Sequence, residues 1–210
     1  SPQTVNAYFN PTMNEIVFPA AILQPPFFDM NADDPVNYGA IGAVIGHEMT
    51  HGFDDQGRHY DYEGNMKEWW TETDAERFQT RSQVVVEQYN KYEPVDSMYI
   101  NGQMTLGENI ADIGGVTVAY SALKKAMQGK EMESIDGLAP EQRYFLSYAQ
   151  VWRMNIRKEE LMRRLKIDVH SPAEYRVNGV LPNIDAFYQA FNVDSGDQMY
   201  LPKEERARVW

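Results

Sequence analysis

The 210-residue chain contains no cysteine. That absence removes thiol nucleophiles, thiolate-ligated metal and disulfide bonds together, and it leaves the compartment open, because a cysteine-free protein survives on either side of a membrane. Positive charge is scarce as well. Nineteen Lys and Arg against 31 Asp and Glu give a net charge of −12, which would repel a phosphate backbone and excludes nucleic acid as an expected partner. No uncharged apolar run is long enough to cross a bilayer as a helix. Residues 1–10, SPQTVNAYFN, lack the basic start and apolar stretch of a secretory signal. Repeats and low-complexity tracts are missing too. Histidine is rare, and two of the four sit four residues apart.

What is present, 43% hydrophobic and 12% aromatic residues, is the composition of a soluble globular protein with one substantial core, expected as a single domain over residues 1–210. The pattern predicts two short strands, residues 5–9 and 15–23, around an Asn-Pro turn. Asp34 followed by Pro35 signals a helix start, and the helix is expected to run to about residue 53. Further helices are predicted from a Thr71 cap, over residues 106–127 and over residues 140–165. Ser171-Pro172-Ala173-Glu174 reads as a capping box, and Ile184, Phe187, Tyr188 and Phe191 as a last amphipathic segment. The sum is α+β, mainly helical, with a small sheet near the N-terminus.

The chemistry concentrates in His47-Glu48-Met49-Thr50-His51. Residues at i and i+4 share a helix face, so both imidazoles can reach one ion. Glu48 lies about 100° further round the helix, close enough to act as a base on a water at that ion. The competing reading is a pair of surface histidines. It fits poorly with the flanking Ile41, Val44, Ile45, Met49 and Phe53, which predict a helix buried on several sides, where unpaired histidines and a glutamate are costly. A catalytic zinc takes three protein ligands. Position 57, the metzincin site for a third histidine, is Gly57, and a cysteine ligand is unavailable. A carboxylate from another helix remains. Glu108 and Asp112, spaced i and i+4, head the apolar stripe Val116, Ala119 and Leu123, while Gly107, Ala111, Gly114 and Gly115 would let that helix approach its neighbour closely. An exposed Glu/Asp pair near a helix N-terminus is the alternative. Zinc-bound imidazoles usually donate their other N–H to a carboxylate. Asp112 suits that role for one histidine; Asp54 and Asp55 are equally spaced rivals for the other.

Together these stretches resemble the neprilysin, endothelin-converting enzyme and PepO family of zinc metallopeptidases. The resemblance is carried in order by VNAYFNP, ILQPPFF, NYGAIGAVIGHEMTHGFDDQGR, TLGENIADIGG, YAQVWR, DVHSPAEYRVNG and the terminal RVW. It implies a thermolysin-like (gluzincin) catalytic domain that holds one zinc ion per chain and hydrolyses oligopeptides. His47, His51 and Glu108 would be the ligands and Glu48 the general base. Asp112 and Asp54 would orient the histidines, which resolves the Asp54/Asp55 rivalry by analogy. Asn6 and Ala7 match an edge strand that pairs with substrate backbone. His170 matches an oxyanion donor and Arg176 an arginine that grips a substrate carbonyl. Ile22, Phe27, Val44, Val151 and Trp152 match the pocket for the side chain after the scissile bond, made roomier by Ala43. Arg208 matches an arginine at the substrate-binding end of the cleft. Without the resemblance, His170 reads as a loop histidine, Arg176 as a helix-surface charge and Trp152 as core. His59 has no assigned role, and the run RMNIRKEELMRRLK reads as a solvated helix face. Family members are longer, so the chain is expected to be the C-terminal catalytic portion of such an enzyme, with a helical lobe as a further partner. The resemblance implies an extracytoplasmic (periplasmic, cell-envelope or secreted) location and, given the lack of disulfides, a bacterial member. The alternative function is a zinc-stabilised binding fragment without turnover.

Overall fold

The computed structural model describes residues 1–130 and 133–209; Trp210, the last residue of the terminal motif, lies outside them. The fold is α+β and mainly helical. Strands β1 (Tyr8–Asn10) and β2 (Glu15–Val17) pair antiparallel with Phe9 opposite Ile16. Both are shorter than the pattern predicts. β2 runs out just before Pro19, which has no N–H for a ladder, and the chain turns into a single 3-10 turn, Ala20–Ile22. Residues 5–7 therefore lie ahead of the strand without a ladder partner from β2.

A continuous helical run follows over residues 34–53, as predicted, but it is not uniform. Helix α1 (Asp34–Asn37) passes through a π-turn (Tyr38–Gly42) into α2 (Ala43–Thr50) and ends in a 3-10 turn (His51–Phe53). The N-cap is Asp33 rather than Asp34, and its carboxylate makes no capping bond. Arg143 claims it instead, with Nε donating to Oδ2 at 2.7 Å.

Helix α3 (Glu72–Tyr89) carries the predicted Thr71 cap, whose hydroxyl accepts from the Asp74 N–H. Helix α4 (Leu106–Ala126) is the central rod. The predicted stripe Val116, Ala119 and Leu123 is buried, and so are Ile110 and Ile113 on another face, so the helix meets the core on two sides. These residues pack with Val85, Tyr89, Tyr144 and Phe145.

The predicted helix over 140–165 is two helices, α5 (Pro140–Val151) and α6 (Lys158–Ile167). The break follows a tertiary anchor: Trp152 caps α5, and its ring lies 3.7 Å from the Arg176 guanidinium carbon. On α6, Glu160 bonds Arg163 and Arg164, the solvated face expected of that basic run. Helices α7 (Ala173–Asn178) and α8 (Asp185–Phe191) complete the fold. The predicted capping box at Ser171 does not form. Pro172 is the N-cap of α7, and the Ser171 hydroxyl donates to Asn109 Oδ1 at 2.7 Å.

Helices α2 and α4 touch through backbone. A Cβ on Gly46 would sit 2.7 Å from the Gly115 carbonyl oxygen, and one on Gly115 would sit 2.6 Å from the Ala43 carbonyl oxygen. Enclosure of α2 is one-sided, which corrects the expectation of burial all round. Ile41 is buried and Val44 half-buried, whereas Ile45, Met49 and Phe53 are exposed, because they line the face turned away from α4.

Gly115→Ala is expected to cost about 1–3 kcal/mol of stability, because the new methyl meets backbone that no rotamer change can move. A denaturant melt reads this, and an unaltered midpoint would mean the two helices can part without penalty.

Candidate metal centre

His47 begins the last turn of α2, and His51 opens the 3-10 turn that follows. Each imidazole is aimed by a carboxylate. His47 Nδ1 lies 2.8 Å from Asp112 Oδ1 on α4, and His51 Nδ1 lies 2.7 Å from Asp54 Oδ2. Asp54, not Asp55, holds that place. Its other oxygen accepts the N–H groups of Gln56 and Gly57 at 2.8 and 2.7 Å, fixing its rotamer. Gly57 is required for that loop, since a Cβ there would sit 1.7 Å from the His51 carbonyl oxygen.

With both Nδ1–H groups donated to carboxylates, the two Nε2 lone pairs are left facing each other 3.0 Å apart. Glu108 closes the group. Its Oε2 lies 3.3 Å from His47 Nε2 and its Oε1 3.7 Å from His51 Nε2. Glu108 Oε2 is buried with no hydrogen-bond donor. Two converging lone pairs and an orphaned carboxylate oxygen need a shared proton or a cation, and a His-His-Glu set fits zinc. Glu48 belongs to the same cluster, since its carboxylate and the two imidazoles offer ligand atoms within 4.8 Å of one another.

The electrostatics carry the same imprint. Burial opposes the His47 imidazolium, but Asp112 and Glu108 outweigh burial and lift it to about 9. Burial opposes the Glu108 carboxylate, but the adjoining His47 imidazole, with the charges of His170 and His51, outweighs burial and draws it down to about 2. Asp112 is likewise lowered despite burial, held by Arg176 and His47. Glu48 shifts the other way: burial raises it, and the neighbouring histidines only partly offset that rise.

Arg176 is buried on α7. Its Nε and Nη2 donate to Asp112 Oδ2 and Oδ1, both at 2.7 Å. His170 Nε2 lies 3.3 Å from Glu108 Oε2, while its Nδ1 lies 2.8 Å from Asp168 Oδ1. Asp168 escaped the sequence reading, although its place two residues before a histidine was a usable signal. Burial raises this carboxyl, but the backbone N–H and ring of His170 lower it further.

The centre opens on a cleft of about 970 Å³. Asn6 and Ala7 are among the residues that line it. Ile22, Phe27, Ala43, Val44 and Trp152 line its apolar part. His59, paired with Glu68, lines it too. Two predicted residues are not among those lining the cleft. Val151 precedes Trp152 at the end of α5. Arg208 is committed elsewhere, with Nη1 donating to the Asn183 carbonyl and Nη2 bonding Asp185 Oδ1.

Asp112→Asn would leave Arg176 buried without a carboxylate and loosen His47. The expected outcome is a loss of about 3–5 kcal/mol in stability and about 10–100-fold in metal affinity. A melt and a chelator-competition titration read the two; if neither moved, His47 would be oriented by something else.

The chain is similar to known proteins in both sequence and fold. The sequence model of peptidase family M13 matches residues 6–207. Human membrane metallo-endopeptidase-like 1 is 48% identical over 211 residues, which covers 98% of this chain and 27% of that protein. Human neprilysin is 43% identical over 212 residues, covering 98% of this chain and 28% of its own length. Among solved structures, zinc metalloprotease Zmp1 of Mycobacterium tuberculosis in complex with an inhibitor superposes with a TM-score of 0.98 at 53% identity, over all of this chain and 33% of that one. PepO from Lactobacillus rhamnosis gives 0.88 at 37% identity, over 98% of this chain and 31% of its own. The chain thus spans between a quarter and a third of the length of these relatives.

Proposed function

The chain belongs to peptidase family M13, and from that premise we propose that it is the catalytic part of a zinc-dependent endopeptidase acting on oligopeptides, with residues 1–210 as one catalytic unit. The observation that carries the reading is the convergence of His47 Nε2, His51 Nε2 and the undonated Glu108 Oε2 at the wall of a long cleft. His47, His51 and Glu108 would hold one zinc ion. When bound, zinc supplies a water acidified to about pKa 7 and polarises the scissile carbonyl.

The chain's own residues do the rest. Glu48 is the base: it takes the attacking water's proton and returns it to the leaving amine, and the rise that burial gives its carboxyl suits both transfers. His170 has Nδ1 turned to Asp168 and Nε2 near Glu108; with both ring nitrogens protonated it would keep the Asp168 bond and donate from Nε2 to the developing oxyanion. Arg176 anchors a substrate carbonyl through Nη1, the guanidinium nitrogen outside its bonds to Asp112. Asn6 and Ala7, just ahead of β1, offer backbone to an extended peptide. Ile22, Phe27, Val44 and Trp152 favour a hydrophobic residue on the C-terminal side of the scissile bond, and Ala43 leaves room for a large one. No helix of the described residues is long and apolar enough to cross a membrane. Kinship with membrane metallo-endopeptidase-like 1 supports an extracytoplasmic setting.

Glu48→Gln is expected to retain zinc by elemental analysis while cleavage of a quenched peptide falls by about two to four orders of magnitude. Undiminished turnover in the zinc-loaded variant would end the mechanism. Glu108→Ala is expected to lose zinc on dialysis; a full equivalent retained would put the third ligand elsewhere. Zinc-loaded wild-type protein that binds peptides and never cuts them would replace the enzyme with a binding fragment.

A further inference from the structure

His170 sits in a stretch without regular structure between α6 and α7, and its side chain is 46% exposed. Packing around the ring therefore cannot by itself hold Nε2 beside Glu108. The next residue can. Ser171 is buried, and its hydroxyl donates to Asn109 Oδ1 at 2.7 Å. Asn109 is wholly buried and is the residue after Glu108. Its amide donates in turn to Thr105 Oγ1 at 2.9 Å, and the Thr105 hydroxyl donates to the Asn101 carbonyl at 3.1 Å. The amide is thereby fixed, and its oxygen is aimed away from its own helix.

One buried bond thus joins the immediate neighbours of two site residues that are 62 positions apart in sequence, at 108/109 and at 170/171. We propose that Ser171 and Asn109 are positioning residues: their bond sets the distance from His170 Nε2 to the metal-binding group. The inference rests on the peptidase reading above. A displacement near 1 Å can cost on the order of a hundredfold in rate even when the displaced group stays chemically intact. The bond bears on the oxyanion donor and not on the cleft walls, so its loss acts on kcat rather than on KM.

The test is a double-mutant cycle on zinc-loaded protein. Ser171→Ala is expected to lower kcat about 10–100-fold with KM within about twofold and zinc content unchanged. Ser171→Thr, which keeps the hydroxyl, is expected to restore kcat. In a His170→Ala background, Ser171→Ala is expected to cost nothing further, because Ser171 acts through that ring. Equal losses in both backgrounds, or no loss in either, would overturn the proposal. Should Ser171→Ala fail to fold, Ser171→Cys, nearly isosteric with a weaker donor, serves in the same cycle. Histidine ring NMR separates this inference from the peptidase reading. The His170 resonances must move in Ser171→Ala and hold in Ser171→Thr, and an unmoved His170 signal overturns the inference whether or not the wild type cleaves peptide.

Discussion

The backbone contact between α2 and α4 is the constraint on which the rest depends. Two glycines, Gly46 and Gly115, bring the helices together where any Cβ would collide with backbone. Side chains one residue and three residues from that contact are then set close by geometry alone. His47 follows Gly46 and Asp112 precedes Gly115 by three, and their ring nitrogen and carboxylate oxygen meet at 2.8 Å. Glu108, one turn before Asp112, comes within reach of both imidazoles. The site is built less by its polar residues than by the small ones that let two rods touch.

That closeness creates an electrostatic problem. Glu48, Asp54 and Asp112 are buried, and Glu108 nearly so, so four carboxylates crowd a volume in which, among the described residues, Arg176 is the one permanently charged cation bonded to them. Arg176 satisfies Asp112 with two bonds, and the Gln56 and Gly57 amides help satisfy Asp54. Glu108 Oε2 receives no such donor. Buried charge without compensation is among the costliest features a fold can carry. A divalent cation at the two Nε2 atoms offsets it, so a metal there would serve stability as well as chemistry.

Much of this was legible in sequence because helix periodicity is a local rule. The spacing of His47 and His51, and of Glu108 and Asp112, follows from 3.6 residues per turn, and the small residues of α4 announced the close approach. Resemblance, not spacing, separated Asp54 from Asp55; the structure supplies the physical reason in the Gln56 and Gly57 N–H groups. Features fixed by distant partners were not legible. The break between α5 and α6 depends on Trp152 against Arg176. The cap at Asp33 is lost to Arg143, 110 residues away. Arg208 carries a motif position but spends its donors on Asn183 and Asp185. Exposure of Ile45, Met49 and Phe53 was equally hidden, since a hydrophobic flank does not reveal which side of a helix its neighbour will occupy.

Ser171 shows how a local rule yields. Its spacing to Glu174 satisfies the capping-box pattern, and a serine cap is ordinarily worth about 1 kcal/mol to a helix. Helix α7 has six residues and begins without any side-chain cap. The hydroxyl goes instead to a buried amide oxygen on another helix, where an unmet acceptor would cost about 1–3 kcal/mol. The two uses are of comparable worth, so local energetics alone do not choose between them. What tips the balance is that Asn109 is already immobilised by Thr105 and has no freedom to turn its oxygen elsewhere. A short helix gives up its cap, and the stretch that carries His170 is tied to the rod that carries Glu108.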